Sequence, residues 1–96
     1  MRKLTIGSIL LPIDGDKVFV RGRPVSLTKA EREIMRLLLE QWGSVVTRTA
    51  LRNAAWPDAA EERNAQLDAA IAALQEKLQG GDVTIESVPG IGYLLR

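Results

Sequence analysis

The stretch Asn64-Ala-Gln-Leu-Asp-Ala-Ala-Ile-Ala-Ala-Leu-Gln-Glu-Lys-Leu78, followed by Gly80-Gly81 and by Val83-Thr-Ile-Glu-Ser-Val-Pro-Gly-Ile-Gly-Tyr-Leu-Leu95, decides how the chain folds. Leu67, Ile71, Leu74 and Leu78 recur at helical spacing and form one buried stripe. Asn64 is a good N-cap for that helix, and the glycine pair ends it. Beyond it, residues 83–88 alternate in character, Pro89-Gly90 suits a type II turn, and Tyr93-Leu94-Leu95 returns as the partner strand. A helix therefore runs directly into a β-hairpin.

Two more helices precede this unit. Thr28 with Glu31 three residues later makes a capping box, and Ile34, Met35, Leu37 and Leu38 carry helical periodicity to a stop at Gly43. After the extended run Ser44-Val45-Val46, Thr47 caps a short helix with Leu51, Ala54, Ala55 and Trp56 as its apolar positions, closed by Pro57. The segment from Asp58 to Arg63 reads as a polar linker or a fraying helix. Ahead of all three helices, residues 4–27 hold β-branched and aliphatic runs broken at Gly7-Ser8, Asp14-Gly15-Asp16 and Arg21-Gly22-Arg23, which predicts three or four short antiparallel strands. Asp14 and Asp16 form a turn, because too few ligands surround them for a calcium loop.

Length and composition agree with one small domain over 1–96: an N-terminal sheet at 4–27, three helices at 28–79 and a hairpin at 83–95. With no Cys and no His, neither disulfides nor a Cys/His zinc cluster supports the core. The same absences remove Cys-His and Ser-His-Asp catalysis, so the expectation is a protein that is not an enzyme and needs no cofactor or metal. The longest apolar run, Ile9 to Ile13, is too short to span a bilayer and lacks a signal-peptide layout, which predicts a cytoplasmic protein without a membrane partner.

The order of sheet, three helices and hairpin is the α+β winged helix-turn-helix arrangement, with the hairpin as the wing. The text Arg23-Pro-Val-Ser-Leu-Thr-Lys-Ala-Glu31, Leu37-Leu38-Leu39-Glu40, Gly43-Ser-Val-Val-Thr-Arg48, Leu51 to Trp56, and Ile85-Glu-Ser-Val-Pro-Gly-Ile-Gly-Tyr-Leu resembles the effector domain of OmpR/PhoB-type response regulators, from about Leu4 to Arg96. Its most specific parts are Leu-Thr-x-x-Glu at the first helix and the closing Gly-Ile-Gly-Tyr. The resemblance implies a bacterial transcription-regulation domain that binds DNA as a dimer or tandem array. The third helix would enter the major groove, the wing would approach the minor groove, and the loop between the second and third helices would touch RNA polymerase. Such domains usually follow a phosphorylatable receiver; these residues contain none, so the expectation is a stand-alone regulator.

The reading helix departs from the family. Ala65, Ala70, Ala72, Ala73 and Gln75 stand at groove-facing positions where members usually carry cations, and Pro89 replaces a wing-tip Arg. Formal charge is +1 overall but unevenly placed: residues 21–52 sum to +4 and residues 61–82 to −3. Phosphate neutralisation supplies most of the affinity for DNA, so an acidic reading helix implies weak or atypical readout. The candidate DNA contacts are Thr47 and Arg48 at the second helix, Arg63, Asn64, Gln66 and Lys77 around the third, and Ser87 in the wing. Thr47 and Asn64 serve equally well as plain helix caps, and the charges as a solvated face. The alternative function is a degenerate winged helix that binds a protein, such as a transcription regulator, a polymerase subunit or a second copy. Its surface would be Trp42 with Ala65, Ala69, Ala72 and Ala73, or the basic side of the first helix, although alanines also suit an exposed helix by propensity alone.

Overall fold

Four short strands, β1 (Lys3–Ile6), β2 (Ile9–Pro12), β3 (Lys17–Val20) and β4 (Arg23–Ser26), form an antiparallel sheet in sequential order. A computed structural model describes residues 3–12, 16–58 and 63–96. Ile13, the Asp14-Gly15 part of the acidic turn and residues 59–62 of the linker lie outside the described residues. Arg21 and Gly22 close the β3–β4 hairpin with φ of 51° and 81°. Positive φ at both loop positions matches the twist of the flanking strands. Side-chain alternation then sends Ile9, Leu11, Val18 and Val20 into the core and leaves the Leu10–Phe19 pair half-buried on the other face.

Helix α1 (Lys29–Glu40) begins with the expected capping box: the Glu31 N–H donates to Thr28 Oγ1 at 3.2 Å, and the Thr28 N–H donates to Glu31 Oε1 at 2.8 Å. Ile34, Met35, Leu38 and Leu39 are buried, while Arg36 pairs with Glu33 and, one turn on, with Glu40. The extended run after Gly43 narrows to β5 (Val46–Thr47), and Val45 is exposed. Thr47 Oγ1 accepts from the Ala50 N–H at 3.1 Å and starts α2 (Arg48–Ala55), in which Leu51 and Ala55 are buried; Trp56 caps its end and packs half-buried against the core.

Helix α3 (Asn64–Lys77) corrects one expectation. Its N-cap is Arg63, with no side-chain cap bond, and Asn64 is already helical. The Asn64 amide oxygen is taken by Arg52 of α2, so it is not free to cap its own helix. Leu67, Ile71, Leu74 and Leu78 are buried as the periodicity predicts.

The chain closes with β6 (Ile85–Val88) and β7 (Gly92–Leu95), which join β5 in a sheet of order β5-β7-β6. Gly90 at φ 76° follows Pro89 in the turn, and the Ile91 N–H donates to the Val88 carbonyl at 3.0 Å. At Gly92 the strands approach so closely that a Cβ would strike the Val46 carbonyl. Two polar latches tie the ends together. Ser8 N–H and Oγ–H both donate to Asp82 Oδ1, at 3.0 and 2.7 Å, joining the β1–β2 turn to the segment after α3. Lys77 Nζ pairs with the buried Glu31 at 2.6 Å, joining α3 to α1. Among the described residues no helix is long and apolar enough to cross a membrane.

Candidate nucleic-acid interface

Arg48 and Arg52 lie one turn apart on α2, and Asn64 and Asp68 one turn apart on α3. Residues at i and i+4 share a helix face, and here the two faces meet. Arg48 Nη1 donates to Asp68 Oδ1 at 2.8 Å, and Arg48 Nη2 reaches the Asn64 carbonyl at 3.4 Å. Arg52 donates to Asn64 Oδ1, and through Nη2 to Thr49 Oγ1 at 3.1 Å. The wing completes the cluster: Tyr93 Oη donates to Asp68 Oδ1 at 2.8 Å and lies 3.3 Å from Arg48 Nη1. Ser87 stands opposite Tyr93 in the β6–β7 register and is exposed.

Electrostatics follow from these bonds. The Arg48 guanidinium and then the Tyr93 hydroxyl hold the Asp68 carboxyl below the ordinary aspartate range. Asp68 in turn raises Arg48 and keeps it charged. Burial, reinforced by the Asp68 bond, pushes the Tyr93 phenol up.

Of the residues expected to touch DNA, the fold brings Thr47, Arg48, Asn64 and Ser87 to this junction of α2, α3 and wing, with Gln66 exposed on the first turn of α3. Arg63 immediately precedes that turn and is half-buried. Lys77 is not among them. It lies about 16 Å further along the helix from Gln66 at 1.5 Å per residue, and its ammonium is bound by Glu31. Ala70 is half-buried and packs against the core. Gln75 donates to the Ile85 carbonyl at 3.0 Å, bracing the base of the wing. The remaining alanines behave as expected: Ala65, Ala69 and Ala72 are exposed and Ala73 is half-buried. Trp42 is 43% exposed.

Asp68, Tyr93 and Arg52 were not singled out as site residues from sequence. The signal available was the matching i, i+4 spacing on α2 and α3 together with a tyrosine two residues into the last strand.

This arrangement of a helix-turn-helix braced against a hairpin wing is that of the winged helix-turn-helix class. Residues 22–95 match the family model described as transcriptional regulatory protein, C terminal. The chain belongs to the OmpR/PhoB-type family of winged-helix, DNA-binding C-terminal domains of response regulators. It is 35% identical over 95 residues to the response regulator ArlR of Staphylococcus saprophyticus, an alignment covering 97% of this chain and 43% of the relative. The DNA-binding domain of CpxR from E. coli superposes with a TM-score of 0.85 at 22% identity, covering 99% of this chain and 96% of that one. The DNA-binding domain of the response regulator AdeR, solved in complex with an intercistronic region, gives a TM-score of 0.81 at 29% identity, with 96% of each chain covered. The chain thus spans under half the length of the curated relatives it matches.

Proposed function

We propose that this domain binds duplex DNA through the exposed face of α3 and the β6–β7 wing, with weak and atypical readout. The observation that carries the reading is the make-up of that face. The exposed residues of α3 are Asn64, Ala65, Gln66, Asp68, Ala69, Ala72, Gln75 and Glu76, with no cation among them. That face is exposed beside the wing, and the related AdeR domain was solved in complex with an intercistronic region, yet the face offers an adenine one good side-chain partner, Gln66. Backbone contacts fall to Thr47, Arg48, Arg63, Asn64 and Ser87, and Lys77 is left out because Glu31 holds it. Acting on the chromosome would place the protein in the cytoplasm.

The test is a fluorescence-anisotropy titration of a mixed-sequence duplex at low salt, where counterion release makes phosphate-driven binding strongest. A complex at low salt that dissociates as salt approaches physiological strength is expected; no complex at low salt contradicts the reading. One observation favours a second function. Ala65, Ala69 and Ala72 leave a low, uncharged strip on α3, and Trp42 is a large apolar side chain in solvent, which suits a protein partner such as a transcription regulator, a polymerase subunit or a second copy. That reading requires Ala69→Arg to abolish an assembly seen by sizing or pull-down.

A further inference from the structure

The Asp68 carboxylate is held by two donors of the kind that hold a phosphate oxygen. Its Oδ1 receives two convergent bonds of 2.8 Å, one from the Arg48 guanidinium on α2 and one from the Tyr93 hydroxyl on β7. Both donors belong to the junction through which the domain would meet DNA, and charge-assisted bonds of this kind serve phosphate as well as carboxylate. The carboxylate comes from α3, and its side chain is 57% exposed, so it can leave without opening the core. Arg48 has no alternative partner of equal quality, since its approaches to Asn64 are 3.4 and 3.5 Å.

We propose that Asp68 is an internal counter-ion occupying a phosphate subsite built from Arg48 and Tyr93, and that DNA must displace it to bind. This rests on the DNA-binding reading above. The displaced carboxylate stays tethered beside the incoming phosphate, so each binding event exchanges one charge-assisted contact for another and adds a like charge nearby. Non-specific duplex gains little from that exchange.

The experiment compares Asp68→Asn with wild type on the mixed-sequence duplex across a salt series. The amide keeps the size of the side chain and removes the charge. The proposal expects Asp68→Asn to bind roughly threefold or more tightly at low salt. It also expects the plot of log K against log salt to steepen by about 0.9, the value of one added phosphate contact. A side chain that merely braced α3 would weaken binding when altered and would leave the slope unchanged; that result overturns the proposal and leaves the DNA-binding reading intact. Binding by neither protein at low salt overturns both. Independently of any variant's folding, the guanidinium NMR signals of Arg48 in the wild-type domain are expected to shift when duplex is added, and unchanged signals refute displacement.

Discussion

At Gly92 the last strand crosses β5 so closely that any side chain would meet the Val46 carbonyl, which gives the second glycine of Gly-Ile-Gly-Tyr a steric cause. Gly92→Ala is expected to cost about 2–3 kcal/mol, as overpacking does, and to lower the midpoint of thermal unfolding; an unchanged midpoint would mean that the strands separate freely. Glu31 is the other residue with little latitude. It is 5% exposed. Burial drives its carboxyl up, but the bonds from Lys77 and from the Thr28 N–H and hydroxyl outweigh burial and hold it below the usual glutamate value. Lys77→Met would leave that carboxylate with the Thr28 contacts alone. Breaking a fully buried pair costs about 3–5 kcal/mol. Because the Lys77 side chain is 30% exposed and partly screened, about 1–2 kcal/mol at neutral pH is expected from urea unfolding, with a smaller loss of stability between neutral and acid pH than in wild type.

The elements differ in how far their own sequence specifies them. The start and apolar stripe of helix α1 were legible because its capping box and helical spacing are local, although it ends at Glu40, ahead of the expected stop at Gly43. Thr28→Ala is expected to cost about 1 kcal/mol in the same unfolding measurement. The periodicity of α3 was equally plain, as was the turn at Pro89-Gly90, while the reading of three or four strands in residues 4–27 resolves to four. The start of α3 was not plain, because Asn64 is bonded to Arg52, which lies 12 residues earlier on another helix. The candidate site failed to read for the same reason. Arg48 looked available to phosphate while its partners Asp68 and Tyr93 lay 20 and 45 residues downstream, and Lys77 looked like a flanking cation until α1 placed Glu31 beside it. Spacing within an element shows which residues share a face, but not which face of another element will meet it. The exposed alanines of α3 give a direct check: Ala69→Arg should change stability by no more than about 0.5 kcal/mol, leave the circular dichroism intact and tighten duplex binding at low salt. A loss of binding would place Ala69 in a contact too close for a longer side chain.

Across the whole molecule, near-neutrality is the sum of a basic segment and an acidic one, and the fold pairs charges both within the basic segment and between the two. Arg48 and Lys77 pair across helices with Asp68 and Glu31, while Arg32 and Arg36 are paired within α1. Three carboxylates held below their usual range, Glu31, Asp68 and Asp82, each join separate parts of the fold. A carboxylate depressed on folding adds stability that is present above its unfolded value, about 3.9 for Asp and 4.3 for Glu, and is lost as pH falls through its folded value. The unfolding midpoint should therefore hold steady down to about pH 5 and then drop; a midpoint independent of pH between 5 and 3 would show that these latches add nothing. The central claim, that the α3 and wing face is the one that meets DNA, is tested most directly by amide NMR of the isotope-labelled domain during titration with duplex at low salt. The expected result is shifts concentrated at Thr47, Arg48, Asn64, Gln66, Ser87 and Tyr93. Shifts confined to α1 and the N-terminal sheet, or none at all, would contradict it.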